Sequence, residues 1–428
     1  MNLDMLHPAD QLMMFMERIY QSGLTTTSGG NISIRDENGD VWITPGSVDK
    51  GNLTRDDMIC VKKNGDVEGI HRPSSELPFH QQIYQARPDL KAVVHAHPPA
   101  LVAFSIVRKA PETRLMANVY ETCGEVAIAK YGLPGSQGLG EKIAAEFAKG
   151  FNSVMLENHG VVVGHDNLFD AFKVFETLEF TARIEIEASR LAKPISLDDK
   201  TIDNHRQQTE MEEFIPEFYG IKERELRADM CKLIHRAYKQ NLFTSTQGTF
   251  SLRLNDHSFL ITPYAVDRHY LEPSDIVRIE NGKRERGKVP SRSARLHQYI
   301  YDQHPHVESI ILAHPPHVMA FAVTEMKLDS KTIPESYILM RDIPKLPAIS
   351  PHTEPEKVAE VFTPSTPIAI VENECVIVTG SDLLNTFDRL EVAEFSARAL
   401  ISSYVLGDVV PIDSNSISEL ERAFNLPK

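Results

Sequence analysis

The chain has only four cysteines, Cys60, Cys123, Cys231 and Cys375, and they are too dispersed to form a CxxC pair. Such usage excludes a disulfide framework and reads as reduced thiols in a cytoplasmic protein. No apolar run reaches membrane-spanning length. No basic segment followed by an apolar core opens the chain, so no secretory signal is expected. Positive charge is in short supply: 45 Lys and Arg stand against 60 Asp and Glu, a formal net charge of -15. That argues against non-specific binding to nucleic acid or an anionic membrane. An anionic small molecule stays open, because a nest of backbone amides binds phosphate against an unfavourable global field. Apolar residues still make up 42% of the chain, so the acidic excess does not come at the expense of a core.

The sequence is written twice. Residues 72–100 read RPSSELPFHQQIYQARPDLKAVVHAHPPA and residues 289–317 read VPSRSARLHQYIYDQHPHVESIILAHPPH. Pro73 meets Pro290, His80 meets His297 and His97 meets His314 at a constant offset of 217. ITPGSVDK at 43–50 meets ITPYAVDR at 261–268. Two domains of about 210 residues each follow, ample for one core apiece. The first is expected over 1–200 and the second over 221–428. Residues 201–220 belong to a stretch rich in charge and poor in apolar residues, expected to be a linker.

The periodicities set the elements. Leu12, Met16, Ile19 and Tyr20 lie on one helical face, and Gly23 follows as a C-cap. Ile32, Ile34, Val41 and Ile43 alternate around Glu37-Asn38-Gly39-Asp40, a β-hairpin. Residues 74–88 read as a helix with Ser74 as N-cap. AVVHAHPP is a short strand stopped by Pro98, and SVMLENHGVVVG is another with Gly160 inside it. A long amphipathic helix covers 167–193. The second copy repeats this order, so each copy is expected to carry helices on an antiparallel or mixed sheet.

His95 and His97 sit two apart on a strand, which points both imidazoles to one face. His159 is the best candidate for a third ligand, and three histidines with an open position suit a catalytic zinc ion. An isolated HxH is also met as two unrelated histidines. Glu76, just upstream, offers a carboxylate for general acid/base work beside a metal-held oxygen. Ser-Ser-Glu at a helix start is equally an ordinary capping arrangement. SGGNIS at 28–33, ITPGS at 43–47 and the pair Ser74, Ser75 offer backbone and side-chain donors to an anion.

Taken in order, SGGNIS, ITPGS, RPSSE, HAHP and ENHG resemble the class II aldolase/adducin family, across 8–193 and more weakly across 222–405. The resemblance implies two tandem α/β/α domains, each around a mainly antiparallel sheet. It implies a divalent metal, usually zinc, on His95, His97 and His159, one per chain. Glu76 would be the acid/base, and Gly30, Asn31, Thr44, Gly46, Ser74 and Ser75 the phosphate pocket. The implied activity is a lyase cleaving a phosphorylated ketose by a retro-aldol step through a metal-stabilised enediolate. An epimerase, dehydratase or decarboxylase would use the same ligands, and an adducin-like scaffold would need none of them. The implied partners are a small sugar phosphate and further copies of the chain, as a dimer forming a four-domain pseudo-ring or as a tetramer.

The second copy departs from the pattern. Thr249 stands for Asn31, Tyr264 for Gly46, Arg292 for Ser75, Ser293 for Glu76, Leu312 for His95 and Glu374 for His159. Only His314 remains of the ligand set, so this copy is expected to be non-catalytic. His297, His304, His306 and His317 are the histidines from which a rearranged site would be drawn.

Overall fold

The computed structural model describes residues 3–205 and 210–426. They pack into two compact units, one of residues 1–113 and 119–183, the other of residues 114–118 and 184–428. Among the described residues, no helix is long and apolar enough to cross a membrane. All four cysteines are buried and free.

The first unit is built on an eight-stranded sheet. Its strands are β1 (Asn31–Arg35), β2 (Val41–Ile43), β3 (Ile59–Val61), β4 (Val67–Glu68), β5 (Ala92–Ala96), β6 (Ala127–Ala129), β7 (Ser153–Leu156) and β8 (Gly160–His165). They run in the order β4-β3-β2-β1-β5-β8-β7-β6, antiparallel except for β6 beside β7. The β1–β2 hairpin closes where expected, with Gly39 at φ 86°. β5 is buried at all five positions, so both faces of the sheet centre are covered. On one face lie the helices Leu77–Ala86 and Gln137–Ala148, whose Phe79, Ile83, Ile143 and Phe147 join Val93, Val154 and Val162 in one core. Each such large side chain contributes roughly 1.5–3 kcal/mol by leaving water. The helices Pro8–Gln21, Pro99–Ile106 and Leu168–Leu191 supply further buried apolar residues, among them Phe15, Leu101 and Phe172.

The second unit repeats the plan. Its strands are β9 (Glu213–Phe214), β10 (Thr249–Asn255), β11 (Ser258–Ile261), β12 (Val277–Glu280), β13 (Lys283–Glu285), β14 (Ser309–Ala313), β15 (Lys345–Leu346), β16 (Ile368–Val371) and β17 (Cys375–Gly380). The order is β15-β16-β17-β14-β10-β11-β12-β13-β9, with parallel pairing only at its two edges. The central β10–β14–β17 ladder matches β1–β5–β8.

Three expectations change. SVMLENHGVVVG and PIAIVENECVIVTG are each two strands around a tight turn, not one strand. The helix expected from Ser74 begins at Leu77, with Glu76 at its N-cap position and Pro78 in its first turn. Ser74 instead accepts a hydrogen bond from the Glu76 N–H at 3.3 Å. The expected linker holds structure: a helix Asp199–His205, with Ile202 and His205 buried, and strand β9. Ile202 is the one buried apolar side chain of that helix, a signal too sparse to stand out in a polar sequence. Residues 206–209 of that expected linker lie outside the described residues.

β9 sits beside a buried charge network. Arg227 donates to both Glu223 (2.7 Å) and Glu285 (3.0 Å), and Tyr219 donates to Glu285 at 2.5 Å. Each charge in it has a partner, which is the condition for burying them. Replacing Arg227 by Ala removes the buried cation shared by two carboxylates, leaving Glu223 to Arg278 at 3.3 Å and Glu285 to Lys288 at 2.8 Å. We expect a loss of about 3–5 kcal/mol in the second unit's unfolding free energy, read by denaturant titration.

Candidate functional site

Strand register assembles the first-unit site. Asn31 pairs across from His95, and Ser33 from Val93, so Asn31, Ser33 and His95 share the face that meets the helix Leu77–Ala86. His97 follows the end of β5, and Pro98 prevents the strand from continuing past it. His159 lies not in a strand but on the turn between β7 and β8. Asn158, at φ 56°, is a residue type that tolerates the left-handed region this turn needs. Gly160 is required for a second reason: a Cβ there would lie 2.5 Å from the Ala96 carbonyl and 2.9 Å from the His97 ring. The three rings meet as a result, with centroids 4.8 Å apart for His95–His97 and 4.9 Å for His95–His159 and His97–His159. One ring nitrogen from each lies within 4.8 Å of the other two.

Glu76 closes the group. Its carboxylate is 3.2 Å from His95 Nε2 and 3.6 Å from His159 Nε2. It makes no capping hydrogen bond, which removes the ordinary explanation for Ser-Ser-Glu at a helix start. A buried chain of polar groups aims it instead. Asn31 Nδ2 donates to Glu76 Oε2 at 2.8 Å, and Asn31 Oδ1 meets His80 Nε2 at 2.5 Å. His80 Nδ1 meets Ser33 Oγ at 2.7 Å, and Ser33 Oγ meets the Tyr84 hydroxyl at 2.7 Å. His80, Ser33 and Tyr84 were not singled out from sequence. The signal was available: His80 and Tyr84 are four apart on one helix face, and Ser33 alternates with Ile32 and Ile34 toward them.

The electrostatics suit a cation. Burial, and then the neighbouring His95, hold His97 down to about 3 and His159 down to about 4, so both are neutral at physiological pH. For Glu76 burial pushes upward, but the neighbouring His95 imidazole and the hydrogen bond from Asn31 outweigh it, leaving an ionised carboxylate. His95 Nδ1 faces the Val161 carbonyl at 2.9 Å, which leaves Nε2 with its lone pair toward the cluster. His95 Nε2, His97 Nε2, His159 Nδ1 and Glu76 Oε1 are buried without a hydrogen-bond partner. Four such orphans in one place are rare in a folded protein, and a divalent ion held by the three imidazoles would occupy the space they surround.

The expected anion-binding residues gather beside the cluster, with changed duties for two. Gly30 takes φ 70°, and a Cβ there would meet the His95 carbonyl at 2.9 Å. Gly46 lies against Pro73 and Ser74, next to the Pro45–Pro73 bridge that joins the two loops. Ser75 is exposed and Ser74 buried. Asn31 differs from expectation, since its side chain is committed to Glu76 and His80. Thr44 is wholly buried, its hydroxyl accepting from the Ile32 N–H at 3.2 Å. Lys50, unread from sequence, is buried to 1% exposure, and burial lowers its pKa to about 8. Its ammonium donates to the Pro45 carbonyl and so braces the ITPG loop.

The second unit keeps the frame without this chemistry. Ser251 Oγ still joins His297 Nδ1 (2.6 Å) to the Tyr301 hydroxyl (2.7 Å). Beyond His297 the chain ends, because Thr249 bonds Ser291 in place of the Asn31–Glu76 contact. Leu312, at the His95 position, joins the apolar core. Of the histidines from which a rearranged site was to be drawn, His304 meets the Ala359 carbonyl at 2.8 Å and His317 meets Glu394 at 2.5 Å. His306 packs against His304, at 5.7 Å between ring centroids.

A family model described as Class II Aldolase and Adducin N-terminal domain matches residues 10–186 and again 228–401. Curated relatives resemble about half of the chain. A 5-deoxy-D-ribulose 1-phosphate aldolase of Bacillus thuringiensis is 32% identical over 46% of this chain and 92% of its own length. A 3-oxo-tetronate 4-phosphate decarboxylase of Haemophilus influenzae is 30% identical over 41% and 85%. An L-fuculose phosphate aldolase of Methanococcus maripaludis is 33% identical over 39% and 89%. A solved L-fuculose 1-phosphate aldolase aligns with 30% identity and a TM-score of 0.42, over 46% of this chain and 92% of that one.

The close approach at Gly160 generates a prediction. Gly160→Ala forces either the β5–β8 pairing or the His97 ring to shift, since the nearest atom is backbone. Zinc titration of this variant is expected to show at least a tenfold weaker first-unit site with an unchanged circular dichroism spectrum.

Proposed function

The chain belongs to the class II aldolase and adducin family, and we propose that its first unit is a metal-dependent lyase cleaving a phosphorylated ketose by a retro-aldol step. The observation that carries this is the meeting of His95, His97 and His159 with an ionised, hydrogen-bonded Glu76. Three imidazoles suit Zn2+, and an ion bound there supplies Lewis-acid stabilisation of the negative charge left by carbon–carbon cleavage. The remaining work falls to the chain itself. Glu76, fixed by Asn31, takes the proton of the hydroxyl whose carbon becomes the aldehyde, and a proton returns to the carbon released. His80, Ser33 and Tyr84 hold Asn31 and so act as positioning residues. Gly30, Asn31 and Gly46, with Thr44, Ser74 and Ser75, line the phosphate pocket and fix the substrate's reacting end.

A decarboxylase acting on a 3-oxo acid phosphate is the second reading, favoured by the decarboxylase among the relatives. It would use the same ligands and the same phosphate donors. Assays of ketose phosphates for aldehyde release, and of 3-oxo acid phosphates for carbon dioxide release, separate the two. We also infer that the chain works as a homo-oligomer in the cytoplasm, which sedimentation of the purified protein and cell fractionation test.

Two substitutions test the assignments. Glu76→Gln keeps the first-unit metal and lowers kcat by on the order of 100-fold, the usual scale for a lost acid/base. Unaltered turnover would reduce Glu76 to a structural role. His159→Ala removes both the first-unit metal and turnover. Retention of either would mean that His159 is not a ligand.

A further inference from the structure

We propose that the second unit carries its own divalent-metal site, formed by His205, His352 and Glu374. The inference is independent of the proposed activity. These three residues come from segments far apart in sequence: the end of the helix Asp199–His205, the short helix Ser350–Thr353 and the turn between β16 and β17. One donor atom from each lies within 4.8 Å of the other two. The rings of His205 and His352 meet edge to face at 4.7 Å, and His352 Nε2 is 2.8 Å from Glu374 Oε1.

The turn that presents Glu374 is the turn that presents His159 in the first unit. Asn373 stands at φ 54° as Asn158 does at 56°. The Asn158 N–H bonds the Ser105 carbonyl and the Asn373 N–H bonds the Ala322 carbonyl, each at the end of the helix that follows the HP pair. Asn373 also donates its side-chain amide to Leu115 at 2.9 Å and Ile195 at 2.6 Å, which fixes the turn more tightly. A ligand-presenting turn has therefore been kept while the ligand changed from imidazole to carboxylate. Two histidines outside the family's ligand positions supply the remaining donors.

A buried salt bridge alone does not account for the arrangement. Glu374 is 8% exposed, and its Oε2 has no hydrogen-bond partner although Oε1 is engaged. A carboxylate oxygen desolvated without a donor is costly. Nearby His314, the one ligand retained from the first-unit pattern, is also 8% exposed with an unpartnered Nδ1. The backbone at Ile349 takes φ 56°, a conformation that a β-branched residue adopts only under constraint, just ahead of His352. Two imidazoles and a carboxylate are a zinc ligand set, and the same donors take Co2+ or Fe2+. An ion there would staple the helix Asp199–His205 to the β16–β17 turn of the second unit.

The test uses the full chain with Zn2+ and then Co2+ as probes. After loading and gel filtration, the unmodified protein is expected to hold about two equivalents per chain, and His159→Ala about one. Added Zn2+ should raise the Tm of the His159→Ala protein, which reports the second site without altering it. Glu374→Gln and His352→Ala, each in the otherwise unmodified chain, should hold about one equivalent and keep the first-unit metal. A single equivalent in the unmodified protein that vanishes in His159→Ala, with no Zn2+-dependent rise in Tm, would overturn the proposal. So would two equivalents retained in both Glu374→Gln and His352→Ala.

Discussion

The register between β1, β5 and β8 is the constraint on which the rest of the first-unit site depends. Side chains alternate along a strand, so a slip of one residue would turn His95 and Asn31 to the opposite face together. In the observed register Asn31 lies opposite His95, and both face the helix that carries His80. The end of β5 then delivers His97, and the turn into β8 delivers His159, past a glycine that lets the two backbones close. The three histidines proposed as metal ligands are thus held by the sheet, while the Glu76 carboxylate beside them is held by a helix start. The Asn31–His80–Ser33–Tyr84 chain ties these two parts into one unit.

The second unit shows how much of this is frame and how much is chemistry. Ser251, His297 and Tyr301 repeat the inner end of the polar chain with nearly the same distances. Their role in positioning a carboxylate is gone, since Ser293 replaces Glu76. They persist as buried polar groups bonded to one another, with His297 Nε2 left unpartnered. The opposite has happened at the β16–β17 turn, where the frame is unchanged and a new set of donors has gathered. A fold that presents side chains from fixed turns can exchange one ligand set for another at small cost to its core.

Much of this was legible in the sequence, for identifiable reasons. The repeat, the hairpins, the HAH pair and the sheet's antiparallel character all rest on period-2 spacing and on Pro and Gly at set positions, which act locally. The Glu76 helix start was misplaced by three residues because Ser74 has capping chemistry, which it uses in a turn ahead of the helix. The strand-turn-strand at ENHG was hidden because Val and Leu continue on both sides of it. His205 and His352 were invisible as a pair. Their approach is set by the packing of a short helix in a polar segment, and no spacing in the sequence encodes that distance. Asn31 was expected at an anion and is found bridging two side chains, a choice between partners that only the three-dimensional arrangement decides.

The most direct test of the account is the release of a three-carbon ketone phosphate from a panel of ketose 1-phosphates, followed before and after chelation. The account predicts cleavage of at least one member, its abolition by the chelator and its return on adding Zn2+. Cleavage that persists in the metal-stripped protein, or a metal-loaded protein that cleaves no phosphorylated ketose, would contradict it.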